Sequence, residues 1–199
     1  MNSAPTLILA SRSPRRSELL QQIGVHFTVM PSAVEELRLD GEEPEAYVSR
    51  LSREKAQDVW EKSGGEAPVL GADTIVVCDD VILEKPANET EAVAMLLRLS
   101  NRKHQVMTAV SLVSSVGVET SIETKVSTTD VVFRAISEDD AQEYWLTGEP
   151  RDKAGGYGIQ GLGAVFVQSI SGSYSNVVGL PLEILPELFS QHGIHWWQT

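Results

Sequence analysis

Val69-Leu70-Gly71-Ala72-Asp73-Thr74-Ile75-Val76-Val77 is an apolar, strand-forming run with one carboxylate at its centre. Asp is depleted in strands, and taking an unpaired charge out of water is costly. A carboxylate in this position needs a cation, a metal or a reaction to attend to. On a strand, Val69, Gly71, Asp73, Ile75 and Val77 share one face. The small Gly71 and Ala72 would let a ligand come close. The plainer account of Asp73 is a carboxylate at an exposed strand end, or one paired with a lysine for packing.

On the N-terminal side of this strand, Thr6 to Ala10 reads as a short buried strand. Ser13 is placed as an N-cap with Pro14 at the first helical position; the helix buries Leu19, Leu20 and Ile23, and Gly24 ends it. Val25 to Met30 reads as a second strand, and Pro31 to Glu43 as an acidic, mobile loop. Pro44 opens a helix to about Lys62, with Tyr47, Val48, Leu51, Ala56, Val59 and Trp60 at helical spacing. Lys55, four residues after Leu51 and four before Val59, falls on or beside the inward face.

On the C-terminal side come an Asp79-Asp80 turn and a short strand, Val81 to Leu83. Glu89 to Leu99 reads as a helix with Ala92, Val93, Leu96 and Leu97 inward. His104 to Val116 and Val118 to Ile136 read as a long antiparallel pair around Gly117. Ser137 and Asp140 resemble a capping box for a helix to about Leu146. A Gly-rich stretch, Gly148 to Gly163, precedes a strand from Ala164 to Ile170 and a loop from Gly172 to Gly179. Leu180 to His192 reads as a helix kinked or split by Pro186. Helices and strands mixed in this way predict an α/β fold, a mixed sheet flanked by helices.

The 199 residues suffice for one sizeable core, or two small lobes sharing one. No apolar run approaches the ~20 residues of a membrane span. Met1-Asn2-Ser3-Ala4-Pro5 lacks a basic region and only Leu7 to Ala10 is apolar after it, so no signal peptide is expected. Cys78 is the single cysteine, which excludes an internal disulfide and fits a reducing cytoplasm. The net charge of −12 argues against broad binding to nucleic acid or an anionic membrane. It leaves room for a polyphosphate held by a local cluster of Arg and Lys.

Five constellations could carry chemistry. Ser11-Arg12-Ser13-Pro14-Arg15-Arg16 lies between a strand and a helix, where free N–H groups, hydroxyls and arginines suit a phosphate. An ordinary Ser cap with exposed arginines is the alternative, although Arg in a first turn opposes the helix dipole. Asp73 is the second. Lys55 and Lys85 are the third; alone, a lysine on a helix edge snorkels to water, and Lys85 in Glu84-Lys85-Pro86 is a turn lysine. Glu35 and Glu36 are hard ligands for a divalent cation, or solvated loop charges.

The last is Asp152-Lys153-Ala154-Gly155-Gly156-Tyr157-Gly158-Ile159-Gln160-Gly161. Gly156, Gly158 and Gly161 match G-x-G-x-x-G, but a polar loop precedes them and a strand follows, the wrong context for a dinucleotide site. Gln160 could instead set an amide against the edge of a base; its donors and acceptor suit a uracil-type imide. His192 and His195 lack an acidic neighbour and read as structural, and the P-loop pattern is absent.

In this order the motifs resemble the Maf family of nucleoside triphosphate pyrophosphatases over nearly the whole chain. They are Leu9-Ala10-Ser11-Arg12-Ser13-Pro14-Arg15-Arg16, Leu51-Ser52-Arg53-Glu54-Lys55-Ala56, Gly71-Ala72-Asp73-Thr74, Glu84-Lys85-Pro86 and His104-Gln105-Val106-Met107-Thr108. Asp152-Lys153-Ala154-Gly155, Gly158-Ile159-Gln160-Gly161 and Val178-Gly179-Leu180-Pro181 complete the set. The resemblance implies one domain over residues 1–199. Its fold would be elongated and α/β, similar to that of inosine triphosphatases, with a mixed sheet and a central cleft between two lobes. It implies a homodimer and hydrolysis of a nucleoside triphosphate to the monophosphate and pyrophosphate. By matching position, Asp73 is the catalytic carboxylate, and Ser11, Arg15, Arg16, Lys55 and Lys85 bind phosphates. Glu36 and Asp73 would hold a divalent metal, Mg²⁺ or Mn²⁺.

Branches of the family differ in the base they accept. The branch preferring dTTP and UTP resembles this chain at Arg15, Thr74 and Gln160. A sister branch acting on 7-methyl-GTP has Trp, Gln and Glu at those places. The match to the first branch implies house-cleaning of pyrimidine nucleotides, modified ones included. Arg12 stands at a variable place and receives no role. Two other readings remain at the level of sequence: a purine-directed pyrophosphatase, and a non-enzymatic regulator of cell division, which would leave the polyphosphate-binding set unexplained. A nucleic-acid-binding module would need a basic stripe, and the chain has none.

Overall fold

The strands of the computed structural model, which describes residues 7–116 and 119–198, form one mixed sheet. They are β1 (Ile8–Leu9), β2 (Thr28–Val29), β3 (Val69–Cys78), β4 (Val81–Leu83), β5 (Lys103–Val116), β6 (Glu119–Phe133) and β7 (Val167–Ser171). The α-helices are α1 (Pro14–Gln22), α2 (Pro44–Lys62), α3 (Glu89–Leu99), α4 (Glu138–Leu146), α5 (Tyr174–Val178) and α6 (Leu185–Ser190). The strand order is β2-β1-β3-β5-β6-β7, with β4 on β3. β1 is parallel to β2 and β3, whereas β3–β4 and β6–β7 are antiparallel. The chain thus adopts the α/β class expected of it. Thr6 and the turn around Gly117 lie outside the described residues.

The chain divides into two units. The first is Met1–Asp73, Thr108–Ser127 and Gly179–Thr199; the second is Thr74–Met107 and Thr128–Val178.

In the first unit, α2 sets Ala56 and Val59 into a core with Ile8, Val69 and Val113. The contact is closest at Gly71. A Cβ there would overlap the Ser52 carbonyl oxygen and come within 2.7 Å of the Ala56 nitrogen. Gly71 is therefore small so that a helix can cross the strand, not so that a ligand can approach. The expected strand Val25 to Met30 is shorter in the structure: Thr28 and Val29 pair with Ile8 and Leu9, and the Met30 amide donates to the Leu9 carbonyl at 3.1 Å. Ser13 stands at the N-cap of α1, but its side chain makes no capping bond. The expected C-terminal helix is split into a 3-10 turn, Leu182–Ile184, and α6. Pro186 lies in the first turn of α6, where its missing N–H leaves no gap.

The second unit is built around an aromatic cluster. Phe133 lies 4.7 Å from both His104 and Tyr157, ring centre to ring centre, and Tyr144 lies 5.1 Å from Phe166. Val76, Leu83, Val93, Leu96 and Val131 extend this core. α3 is capped by the Asn88 side chain, and α4 by the expected Ser137–Asp140 box. Leu97, expected inward, is 38% exposed; Met95 and Leu99 are buried on α3. The Gly-rich stretch forms short 3-10 turns at Glu149–Asp152, Ala154–Gly156 and Leu162–Phe166, so the following strand starts at Val167, not Ala164. The expected loop Gly172 to Gly179 contains α5. As expected, the G-x-G-x-x-G match opens no helix after a strand. Among the described residues, no helix is long and apolar enough to cross a membrane.

Candidate active site

Asp73 is buried in β3, only 6% exposed. Its partner is Lys55 from α2, whose Nζ donates to Asp73 Oδ1 at 2.6 Å and to Glu36 Oε1 at 2.6 Å. Lys55 is itself buried, so it does not snorkel to water. The close packing of α2 on Gly71 places it, because Ser52 and Ala56, which bracket it on α2, press on the strand two residues before Asp73. One ammonium thus bridges two carboxylates in unlike surroundings: the Asp73 side chain is 8% exposed and that of Glu36 39%. Removing Lys55 would leave the buried Asp73 carboxylate without this cation, at a cost of about 3–5 kcal/mol, whereas removing the exposed Glu36 leaves the Lys55–Asp73 pair in place.

Glu36 sits in the loop before α2, which was expected to be mobile. Side chains of α2 hold it instead. Arg50 donates to the Leu37 carbonyl at 2.9 Å and forms a two-pronged pair with Glu42, each contact 2.7 Å. That pairing raises the Arg50 pKa and lowers that of Glu42. Tyr47 donates to the Glu36 carbonyl at 3.4 Å, and Asp58 accepts from the Ala33 amide at 3.0 Å. Of the acidic pair, Glu36 meets Lys55; Glu35 is exposed.

Arg16 in the first turn of α1 is a hub. Its Nε donates to the Gly179 carbonyl at 2.8 Å, and its Nη1 to the Ala72 carbonyl at 2.9 Å and to Ser11 Oγ at 3.2 Å. Burial lowers its pKa, while Asp73 and Glu36 act against that. Ser11 Oγ also accepts from the Ser13 amide at 3.1 Å. Arg16 thus joins three of the sequence motifs: the segment after β1, the residue before Asp73, and Gly179. Arg15 is half-buried and makes no hydrogen bond or ion pair with the described residues.

Ser11, Arg15, Arg16, Glu36, Lys55 and Asp73 all belong to the first unit. Thr74, Lys85 and Gln160 belong to the second. Thr74 is the next residue of β3 and half-buried, and Lys85 is exposed just past β4. Gln160 is exposed, and its amide makes no hydrogen bond with the described residues. His192 Nδ1 pairs with Ser114 Oγ at 2.7 Å, and its Nε2 lies 4.0 Å from Glu123 Oε2, so His192 does have the acidic neighbour that the sequence did not show.

Among the described residues, no group of three or more His, Cys, Asp or Glu could hold a metal. The two carboxylates on Lys55 are hard oxygen donors, and Mg²⁺ commonly takes one or two carboxylates with the rest of its shell from water and phosphate. Glu36 and Asp73 fit such a cation on those terms. Sequence reasoning missed Arg50, which fixes the loop bearing Glu36, and Tyr144 and Glu149, which hold the Gly-rich stretch. The only sequence signal for Arg50 was its i,i+4 spacing to Glu54.

Lys55 bridges the Asp73 and Glu36 carboxylates, Arg16 is engaged at Ser11, Ala72 and Gly179, and Arg15 is unengaged by the described residues. The chain belongs to the Maf family: the family model described as Maf-like protein matches residues 6–192. It is 52% identical over 201 residues to the dTTP/UTP pyrophosphatase of Saccharophagus degradans, covering 100% of this chain and 93% of that one. It is 53% identical over 188 residues to the dTTP/UTP pyrophosphatase of Pseudoalteromonas atlantica, covering 93% and 96%. Among solved structures, the Staphylococcus aureus Ham1 protein aligns with a TM-score of 0.43 at 17% identity, over 64% of this chain and 71% of that one.

Proposed function

We propose that the chain is a nucleoside triphosphate pyrophosphatase that hydrolyses dTTP and UTP to the monophosphate and pyrophosphate. The observation that carries this reading is the Lys55 ammonium 2.6 Å from both Asp73 and Glu36. Relatives at about half identity named dTTP/UTP pyrophosphatase support the substrate. A water oxygen attacks the α-phosphorus, the bond from that phosphorus to the α–β bridging oxygen breaks, and pyrophosphate leaves. Asp73 orients the water and takes its proton, or serves as a metal ligand. Ser11, Arg15, Arg16, Lys55 and Lys85 bind phosphate oxygens and offset the charge on the leaving group. Mg²⁺ or Mn²⁺, held by Glu36 and Asp73, would neutralise the triphosphate further. Thr74 and Gln160 select the base, with Arg15 contributing to the same discrimination.

Family resemblance supports a homodimer and one domain over the full length, and the single Cys78 fits a cytoplasmic setting. Sedimentation at the mass of two chains would bear out the first. The reaction is tested by incubating the protein with Mg²⁺ and a panel of nucleoside triphosphates, modified pyrimidines included, and identifying products. Pyrophosphate and monophosphate from dTTP and UTP are expected. Orthophosphate as the product, or no cleavage with any substrate and metal, would overturn the reading.

A further inference from the structure

The Gly-rich stretch is held at both ends by one pair of side chains. The Tyr144 hydroxyl of α4 accepts from the Gly158 amide at 3.1 Å and donates to Glu149 Oε1 at 2.7 Å. Glu149 then accepts from the Leu162 amide on Oε2 at 2.9 Å and from the Gly163 amide on Oε1 at 3.1 Å. Gly158 lies two residues before Gln160, and Leu162 two residues after it. The backbone on either side of Gln160 is therefore fixed to one phenol–carboxylate unit, while the Gln160 amide is left without a partner among the described residues.

The glycines of this stretch follow from the same clamp. A Cβ at Gly161 would overlap Glu149 Oε2, and one at Gly163 would lie 2.6 Å from the Tyr144 hydroxyl. These residues are glycine because the clamp presses against their backbone, which accounts for part of a pattern that imitates a dinucleotide fingerprint. Burial alone would raise the Glu149 pKa, but the Tyr144 hydroxyl and the two amides outweigh it and keep the carboxyl below its ordinary range. It is thus an anion at neutral pH, accepting three hydrogen bonds. The clamp is anchored in turn: Tyr144 packs edge-on against Phe166 at 5.1 Å, and Lys153 Nζ donates to the Glu149 carbonyl at 2.8 Å.

We propose that Glu149, oriented by the Tyr144 hydroxyl, is a positioning residue for base selection, holding the backbone that presents the Gln160 amide to a pyrimidine. This rests on the reading of Gln160 as the base-selecting residue. Glu149 does not touch the nucleotide. It acts by removing freedom from the loop, so that Gln160 need not be ordered when the base binds.

The test compares Glu149→Gln, Tyr144→Phe, Gln160→Ala and the double variant Glu149→Gln/Gln160→Ala. For each, kcat and KM are measured on dTTP, UTP, dCTP and dGTP. Glu149→Gln puts an NH₂ against an amide N–H. Tyr144→Phe keeps the ring on Phe166 and deletes only the hydroxyl, so it remains informative if the first variant folds poorly. Either change is expected to raise KM for dTTP and UTP about tenfold, with kcat altered far less, and to narrow their advantage over dGTP. In the Gln160→Ala background, Glu149→Gln should narrow it no further. Loss by the same factor on all four substrates, or an additive effect in the double variant, would overturn the clamp while leaving Gln160 in place. An unchanged base preference in Gln160→Ala would overturn the reading of Gln160, and the clamp's role in selection with it.

Discussion

The loop that carries Glu36 and the loop that carries Gln160 are held by opposite charges. In the first, Arg50 donates to a backbone carbonyl and to Glu42. In the second, Glu149 accepts from two backbone amides. Loop backbone exposes both N–H and C=O groups, so either sign of charge can fix it. The difference lies in the side chain each loop presents. Glu36 is already engaged by Lys55 at 2.6 Å, whereas the Gln160 amide is unengaged by the described residues. On the function proposed, a carboxylate that serves every substrate can be set in advance by a fixed cation. A group that distinguishes bases would keep its donors and acceptor for the ligand, with only its backbone fixed.

That contrast makes a sharp division between variants. Asp73→Asn breaks the charged frame and should lower kcat about a thousandfold or more, by the same factor for every base. Pyrophosphate release would show it; turnover within about tenfold of wild type would remove Asp73 from the chemistry. Gln160→Glu should act on the other side of the division. Loss of the amide donors to the base carbonyls is expected to reduce kcat/KM for dTTP and UTP by about 10–100-fold, with purine triphosphates little affected. Equal losses across bases would erase the distinction between the two regions.

A milder change probes how firmly Glu36 is set. Arg50→Met retains much of the aliphatic stem and removes the fork that grips Glu42 and Leu37. If Arg50 serves Glu36 as a second layer serves a ligand, the Mg²⁺ concentration for half-maximal rate rises about tenfold. kcat at saturating Mg²⁺ and the preference for dTTP over dGTP should stay near wild type. A shift in base preference, with unchanged Mg²⁺ dependence, would mean that the two loops do not divide the work in this way.

Much of the frame was legible from local pattern. Pro44 at its start and helical spacing after it marked α2, and the apolar run around Asp73 marked β3, because these signals are short in range and strong. The motifs that carry Ser11, Arg16, Lys55 and Asp73 were each ambiguous alone; the structure joins them through bonds spanning up to 163 positions, as between Arg16 and Gly179. The roles of the fixed loops were not legible. An acidic loop reads as mobile, and nothing local reveals that Arg50, on the next helix, donates to its Leu37 carbonyl. Gly71 misled for a similar reason: smallness beside a carboxylate suits a ligand or a helix equally, and only the packing of α2 decides. Leu97 shows the limit of spacing itself, since a helix on a sheet buries one face and its boundary residues fall to either side.

The smallest effect at neutral pH should come from beneath the Gln160 loop, where acid ought to separate the two regions. His104 is 2% exposed, its Nε2 lies 2.9 Å from the Tyr157 hydroxyl, and its Nδ1 has no hydrogen-bond partner among the described residues. Burial lowers its pKa from 6.5 to about 4, against a pull upward from Asp130. The unfolded chain therefore takes up this proton first, and stability falls as pH drops from 6.5 towards 4, by up to about 1.4 kcal/mol per pH unit. The Arg50–Glu42 pair behaves differently, since a lowered Glu42 pKa keeps it intact until the pH falls below 4.5. Urea unfolding of wild type between pH 6.5 and 4.5 should show this slope, and His104→Gln should flatten it. Amide exchange, corrected for its intrinsic pH dependence, should rise with acid around Tyr157 before it rises in residues 31–43. The same slope in wild type and His104→Gln would place the acid sensitivity elsewhere, and simultaneous loosening of both segments would show that one cooperative unit holds them.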